Sequence, residues 1–146
     1  MAKIFKAFML LLLLGVLVLL AIIFVPVHKT APLSTLPATH EDSLALGKYM
    51  ADASDCMACH TAEGGKPFAG GRPITTDMGV IWTTNITPDK ETGIGHYTLD
   101  DFRAALYDGL RKDGKHLYPA MPYENYRKLS EEDVRAMYAY FMKEVT

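Results

Sequence analysis

Both cysteines of this 146-residue chain fall within "SDCMACHT", at Cys56 and Cys59, and His60 follows the second directly. Two thiols three positions apart, with no others to pair with, cannot staple distant elements together, so a disulfide framework is excluded. The C-x-x-C-H pattern is that of covalent haem attachment. Each thiol adds across a vinyl group of the porphyrin, so the implied cofactor is one haem c held through two thioethers. The spacing of one short turn suits the separation of the two vinyls. It also carries His60 over the ring, where its imidazole can ligate iron. Two other chemistries use such residues. A thioredoxin-like redox pair opens a helix behind a strand, and no strand pattern precedes Cys56. A structural zinc site would need a fourth ligand beyond Cys56, Cys59 and His60, drawn from His96 or His116.

An electron carrier needs a second strong ligand on the iron, and a methionine sulfur favours the ferrous state. Met57 lies inside the attachment turn and cannot reach the other face. Met137 falls on the apolar stripe of the last helical pattern, Met142 lies off it, and Met50 reads as core of the first helix. Met78 and Met121 remain. Met121 sits in "LYPAMPY", where Pro119 and Pro122 exclude a helix and stiffen the loop. We therefore take Met121 as the favoured sixth ligand. Met78 and bis-histidine ligation through His96 or His116 are the alternatives.

Three helical patterns must position these groups. Thr39 and Asp42 are spaced as a capping box, opening a helix to about Ala53 that leads into the attachment turn. Thr98 and Asp101 repeat the signature, and Phe102, Ala105, Leu106, Gly109 and Leu110 share a face until "KDGK" ends it. Ser130 and Asp133 do so again, followed by Val134, Met137, Tyr138, Phe141 and Val145 at helical spacing. Gly47 would permit close approach of the first helix to Tyr138 or Phe141 on the last. Between the first two helices, the Gly-, Pro- and Thr-rich run from Glu63 to Gly95 shows neither a helix nor a paired strand pattern. A loop of that length in a compact domain is expected to wrap something, and a large apolar ligand would also supplement a thin core. Trp82, in this run, suits either a hydrogen bond to a haem propionate or plain core packing.

The run from Ala7 to Val25 holds 19 residues without a charge, close to the ~20 needed to cross a bilayer as a helix. Its length, and the "PVHKTAPLS" after it, favour a retained anchor (residues 1–25) over a cleaved leader. Lys3 and Lys6 precede the span, so the positive-inside rule leaves the N-terminus in the cytoplasm. The expected location is the inner (cytoplasmic) membrane, single-pass, with the haem domain in the periplasm. Residues 26–39 contain three prolines and read as an extended linker of roughly 40 Å, and residues 40–146 form the haem domain. Beyond Thr30, 12 Lys or Arg stand against 17 Asp or Glu, which excludes nucleic acid as a partner.

The expected fold is all-α. Attachment at the end of the first helix, about 60 residues before the candidate methionine, suits the small class I cytochrome c fold, with about three main helices around the haem and an N-terminal transmembrane helix. The segments "DCMACHT", "GKPFAGGRPI", "WTTNITPDKETGIGHYTLDDFRAAL" and "DGKHLYPAMPYENYRKLSEEDVRAMYAYFM" carry a more specific likeness. From Leu44 to Val145 the chain resembles one haem domain of the cytochrome c subunits of bacterial membrane-bound alcohol, aldehyde and gluconate dehydrogenases. The resemblance implies covalent haem at Cys56 and Cys59, with iron between His60 and Met121. It also implies passage of electrons from a periplasmic dehydrogenase toward quinone or an oxidase. Those subunits carry three such domains in tandem, and this sequence shows one.

The expected function is that of a membrane-anchored periplasmic monohaem cytochrome, carrying single electrons between a membrane-bound dehydrogenase or respiratory complex and quinone or a terminal oxidase. With both axial positions filled, substrate chemistry at the iron is not expected. Two other readings are a fixed electron-entry subunit of an oxidase or reductase complex and a haem-based ligand sensor in which Met121 is displaceable.

Overall fold

The computed structural model describes residues 2–24 and 40–146. The expected linker lies outside the described residues, as does the first capping residue, Thr39. The elements run α1 (Ala2–Phe24), α2 (His40–Ala53), α3 (Cys56–Cys59), β1 (Pro73–Thr76), β2 (Gly79–Trp82), α4 (Leu99–Asp108), α5 (Tyr123–Tyr126) and α6 (Glu131–Lys143).

Within Lys3–Phe24 of α1, an 18-residue window has a mean hydropathy of 3.2, and the apolar side chains of α1 are exposed. The helix is long and apolar enough to cross a membrane. A leader sequence has the same character.

Helices α4 and α6 begin where short-range chemistry starts them. Thr98 accepts from the Asp101 amide at 3.2 Å, and the Asp101 carboxylate accepts from the Thr98 amide at 2.8 Å. Ser130 and Asp133 exchange the same two bonds at 3.1 Å each. Each pair satisfies two amides that the first helical turn leaves without partners. Helix α4 stops earlier than "KDGK" suggested. Gly109 takes a left-handed φ of 62° and caps the helix, and "KDGK" forms a separate turn closed by a bridge between Leu110 and His116.

Helices α2 and α6 cross in close contact at Gly47. The neighbours there are the Ala136 backbone and Tyr140 Cβ, not Tyr138 or Phe141. Phe141, 1% exposed, is the hub of the core. It meets Phe68 edge-on at 5.1 Å and Phe102 at 5.8 Å between ring centroids. Arg103 and Tyr107 are also buried on α4, off the expected apolar stripe. Arg103 pairs with Glu131 at 3.3 Å and ties α4 to the first turn of α6, while the Tyr107 hydroxyl donates to the Leu129 carbonyl at 2.7 Å.

The long Gly/Pro/Thr-rich run does contain paired strands. β1 and β2 form an antiparallel hairpin with Pro73 opposite Trp82 and Thr76 opposite Gly79. Amides of Gly71, Thr83 and Ile86 continue the pairing beyond it, bonding to the Thr83, Arg72 and Phe68 carbonyls respectively, while the Gly70 amide bonds to the His60 carbonyl in a separate parallel bridge. Strands of four residues with little burial leave no readable alternation. The turn at Asp77–Met78 also lacks the Asn-Gly signature of tight hairpins. The domain is therefore mostly helical, with this one small hairpin among the described residues.

Candidate functional site

The attachment turn starts at a break. Asp55 has a left-handed φ of 55°, which turns the chain sharply between α2 and α3. Helix α3 then presents Cys56 and Cys59 at i and i+3, a spacing that puts them on one helical face. No disulfide joins them. Burial pushes the Cys56 thiol up to about 12. The His60 amide donates to the Cys56 carbonyl at 3.0 Å and closes the turn. The Arg72 guanidinium donates to the Ala58 carbonyl, joining the base of the hairpin to the same turn.

His60 is oriented from a distance. Its Nδ1 lies 2.7 Å from the Thr84 carbonyl, 24 residues away. A carbonyl can only accept, so Nδ1 carries the proton and Nε2 keeps its lone pair. Burial lowers the imidazole's pKa, with the Thr84 bond opposing part of that effect. The ring is thus a neutral nitrogen donor in a fixed tautomer.

Cys56, Cys59, His60 and Met121 all line one cavity of about 300 Å³. Besides the attachment turn and the loop that carries Met121, three regions supply its wall. Ile74, Ile81 and Ile86 belong to the hairpin run, Phe102 and Leu106 to α4, and Met137 and Phe141 to α6. The apolar stripes of α4 and α6 therefore serve the cavity as well as the core. Of the Glu63–Gly95 run, the part from Ile74 to Ile94 borders the cavity.

The other candidates separate clearly. Met78 sits at the hairpin tip, 83% exposed, and is not on the cavity wall; neither are Met57, Met50 or Met142. Met137 reaches the wall from the core, fully buried. His116 borders the cavity, whereas His96 does not. Trp82 also borders it and is 64% exposed, which overturns a plain core role. No group of three or more metal-binding His, Cys, Asp or Glu residues converges among the described residues. Sequence reasoning missed the Thr84 carbonyl, Arg111 and Tyr126, all at the cavity or its histidine. A backbone acceptor leaves no trace in residue type, and the other two carried no spacing signal. Burial pushes the Tyr126 phenol up to about 12, so its hydroxyl remains a donor.

The residues suit a haem. Two thiols on one turn, an imidazole with a free Nε2, a thioether on a proline-flanked loop and an apolar wall match an apolar iron macrocycle held covalently. Such a group supplies reversible one-electron chemistry.

Comparison with known proteins agrees. The cytochrome c family model matches residues 44–144. The chain is 58% identical over 96 residues to the gluconate 2-dehydrogenase cytochrome c subunit of Pantoea cypripedii. It is 59% identical over 96 residues to the alcohol dehydrogenase (quinone) cytochrome c subunit of Gluconobacter oxydans. It is 50% identical over 119 residues to the fructose dehydrogenase cytochrome subunit of Gluconobacter japonicus. These matches cover 66%, 66% and 80% of this chain but only 22%, 20% and 24% of the relatives, so the chain spans about a fifth to a quarter of their length. A mostly helical domain, a C-x-x-C pair suited to one covalent haem c and this match lead to one conclusion: the chain belongs to the cytochrome c family and is an electron-transfer protein.

Proposed function

We propose that this chain is a membrane-anchored monohaem cytochrome that relays single electrons on the periplasmic side, from a dehydrogenase toward quinone or a terminal oxidase. The observation that carries the reading is the one apolar cavity whose wall includes Cys56, Cys59, His60 and Met121. In this reading the two cysteines hold the haem, and His60 Nε2 and the Met121 sulfur are the axial ligands. The Thr84 carbonyl keeps His60 in the ligating tautomer. The apolar wall excludes water, and with the soft sulfur ligand this favours the reduced state. Helix α1 serves as the anchor, residues 26–39 as the linker and 40–146 as the haem domain. The inner membrane is the proposed site. The relatives' names motivate the choice of a dehydrogenase as donor, and they equally favour a second reading, a fixed subunit of a dehydrogenase complex.

Three experiments test this. Met121→Ala should abolish the ferric sulfur-to-iron charge-transfer band and admit carbon monoxide, with the haem still attached, while Met78→Ala should do neither. The opposite pattern would remove Met121 as ligand. Extraction of membranes with mild detergent should then distinguish the shuttle from a subunit, which would leave in a stoichiometric complex with a dehydrogenase. Carbon monoxide binding by the unmodified reduced protein at neutral pH would instead favour a ligand sensor.

A further inference from the structure

The segment from Met121 to Leu129 is held in place by several separate bonds. The Tyr123 amide donates to the Met121 carbonyl at 2.8 Å, forming the entry to α5. Arg127 Nε donates to the Tyr107 carbonyl at 2.9 Å, and the Arg127 guanidinium pairs with Asp108. The Tyr107 hydroxyl holds the Leu129 carbonyl. Tyr123 packs so closely over Gly109 that a Cβ there would lie 2.8 Å from its ring. All but the first of these fasten the segment to the C-terminal end of α4. One bond goes elsewhere. The Tyr126 hydroxyl donates to the Ser54 carbonyl at 2.9 Å, across 72 residues of sequence.

Ser54 lies between the end of α2 and Cys56, where helix-end carbonyls lack intrahelical partners. The Tyr126 bond therefore satisfies a carbonyl two residues before the first haem-binding thiol. Tyr126 is half-buried, and it borders the same cavity as Cys56, Cys59 and Met121. Of the bonds made by the Met121–Leu129 segment, it alone joins the methionine-bearing loop to the attachment turn among the described residues.

We infer that Tyr126 is a positioning residue that straps the Met121 loop to the attachment turn and so keeps the iron–sulfur bond closed. This rests on reading Met121 as the sixth ligand. His60 comes from the attachment turn and Met121 from the strapped loop. Moving the sulfur off the iron requires the loop to withdraw from the turn, and the Tyr126–Ser54 bond resists that movement. The α4 fastenings do not, because they would travel with a loop that stays against α4.

The strap has a measurable size. Losing one neutral, half-buried hydrogen bond changes an opening equilibrium by roughly fivefold. An added ligand that binds only the open iron then gains apparent affinity by the same factor. The test uses the full-length haem-loaded protein, with imidazole titrated into the ferric form and followed by absorption. Tyr126→Phe keeps the ring and removes the hydroxyl, and it should bind imidazole about fivefold more tightly while retaining the charge-transfer band. Tyr138→Phe is the control. It loses a comparable bond, from its hydroxyl to the Tyr97 carbonyl at 2.8 Å, which touches neither the Met121 loop nor the attachment turn. Its imidazole affinity should stay at the wild-type value. Wild-type affinity in Tyr126→Phe, or an equal gain in Tyr138→Phe, would overturn the strap. If Met121→Ala meanwhile loses the band, the ligand reading survives without it. If Met121→Ala keeps the band, both fall.

Discussion

Replacing Gly47 with alanine should destabilise the domain, although alanine is the better helix former. A Cβ at position 47 would lie 2.1 Å from the Ala136 carbonyl oxygen, 2.6 Å from its carbon and 2.8 Å from Tyr140 Cβ. The first two are backbone atoms of α6 and cannot rotate away. Ordinary contact begins at 3.4 Å, so α2 and α6 would have to part by roughly 1.3 Å, in an interior packed as densely as a crystal. A gap of that size forfeits at least about half of the dispersion energy of the atoms facing it. Overpacking of this kind costs ~1–3 kcal/mol, and a clash against backbone belongs at the upper end. Alanine over glycine in a helix returns about 1 kcal/mol. The net cost is therefore about 2 kcal/mol, or a Tm lower by about 8–16 °C for a domain of this size. Thermal unfolding of the haem-loaded variant, followed by far-ultraviolet circular dichroism, measures this directly. An unchanged or raised Tm would refute the reasoning, because it would mean that the α2–α6 seam opens at no cost.

Ser130→Ala removes one half of the α6 capping box and should cost about 1 kcal/mol, read as a lower denaturant midpoint with an unchanged slope. Phe141→Ala empties the centre of the core and should cost ~3–5 kcal/mol, a large share of the total stability of a small domain. Cys59→Ala should leave haem attached through Cys56 alone, with colour still retained by the protein after acid-acetone extraction; haem extracted from the unmodified protein would defeat covalent attachment. High-salt washing should leave the protein in the membrane, whereas a soluble product beginning near Thr39 would identify α1 as a leader.

What the sequence by itself determined is local. The C-x-x-C-H spacing, the two capping boxes at Thr98 and Ser130 and the apolar run of α1 each depend on residues within one or two helical turns, or on composition alone. Their chemistry is complete at short range, so residue order suffices to read them. The tertiary structure decided whatever joins distant positions. It chose the Thr84 carbonyl to orient His60, and it buried Arg103 against Glu131, 28 residues on. It set Gly47 against Ala136 instead of Tyr138 or Phe141, and it folded an unpatterned run into a hairpin that walls the cavity. These contacts form only when helices cross and loops close, and a backbone carbonyl or a helix crossing looks the same in every sequence until the chain is packed.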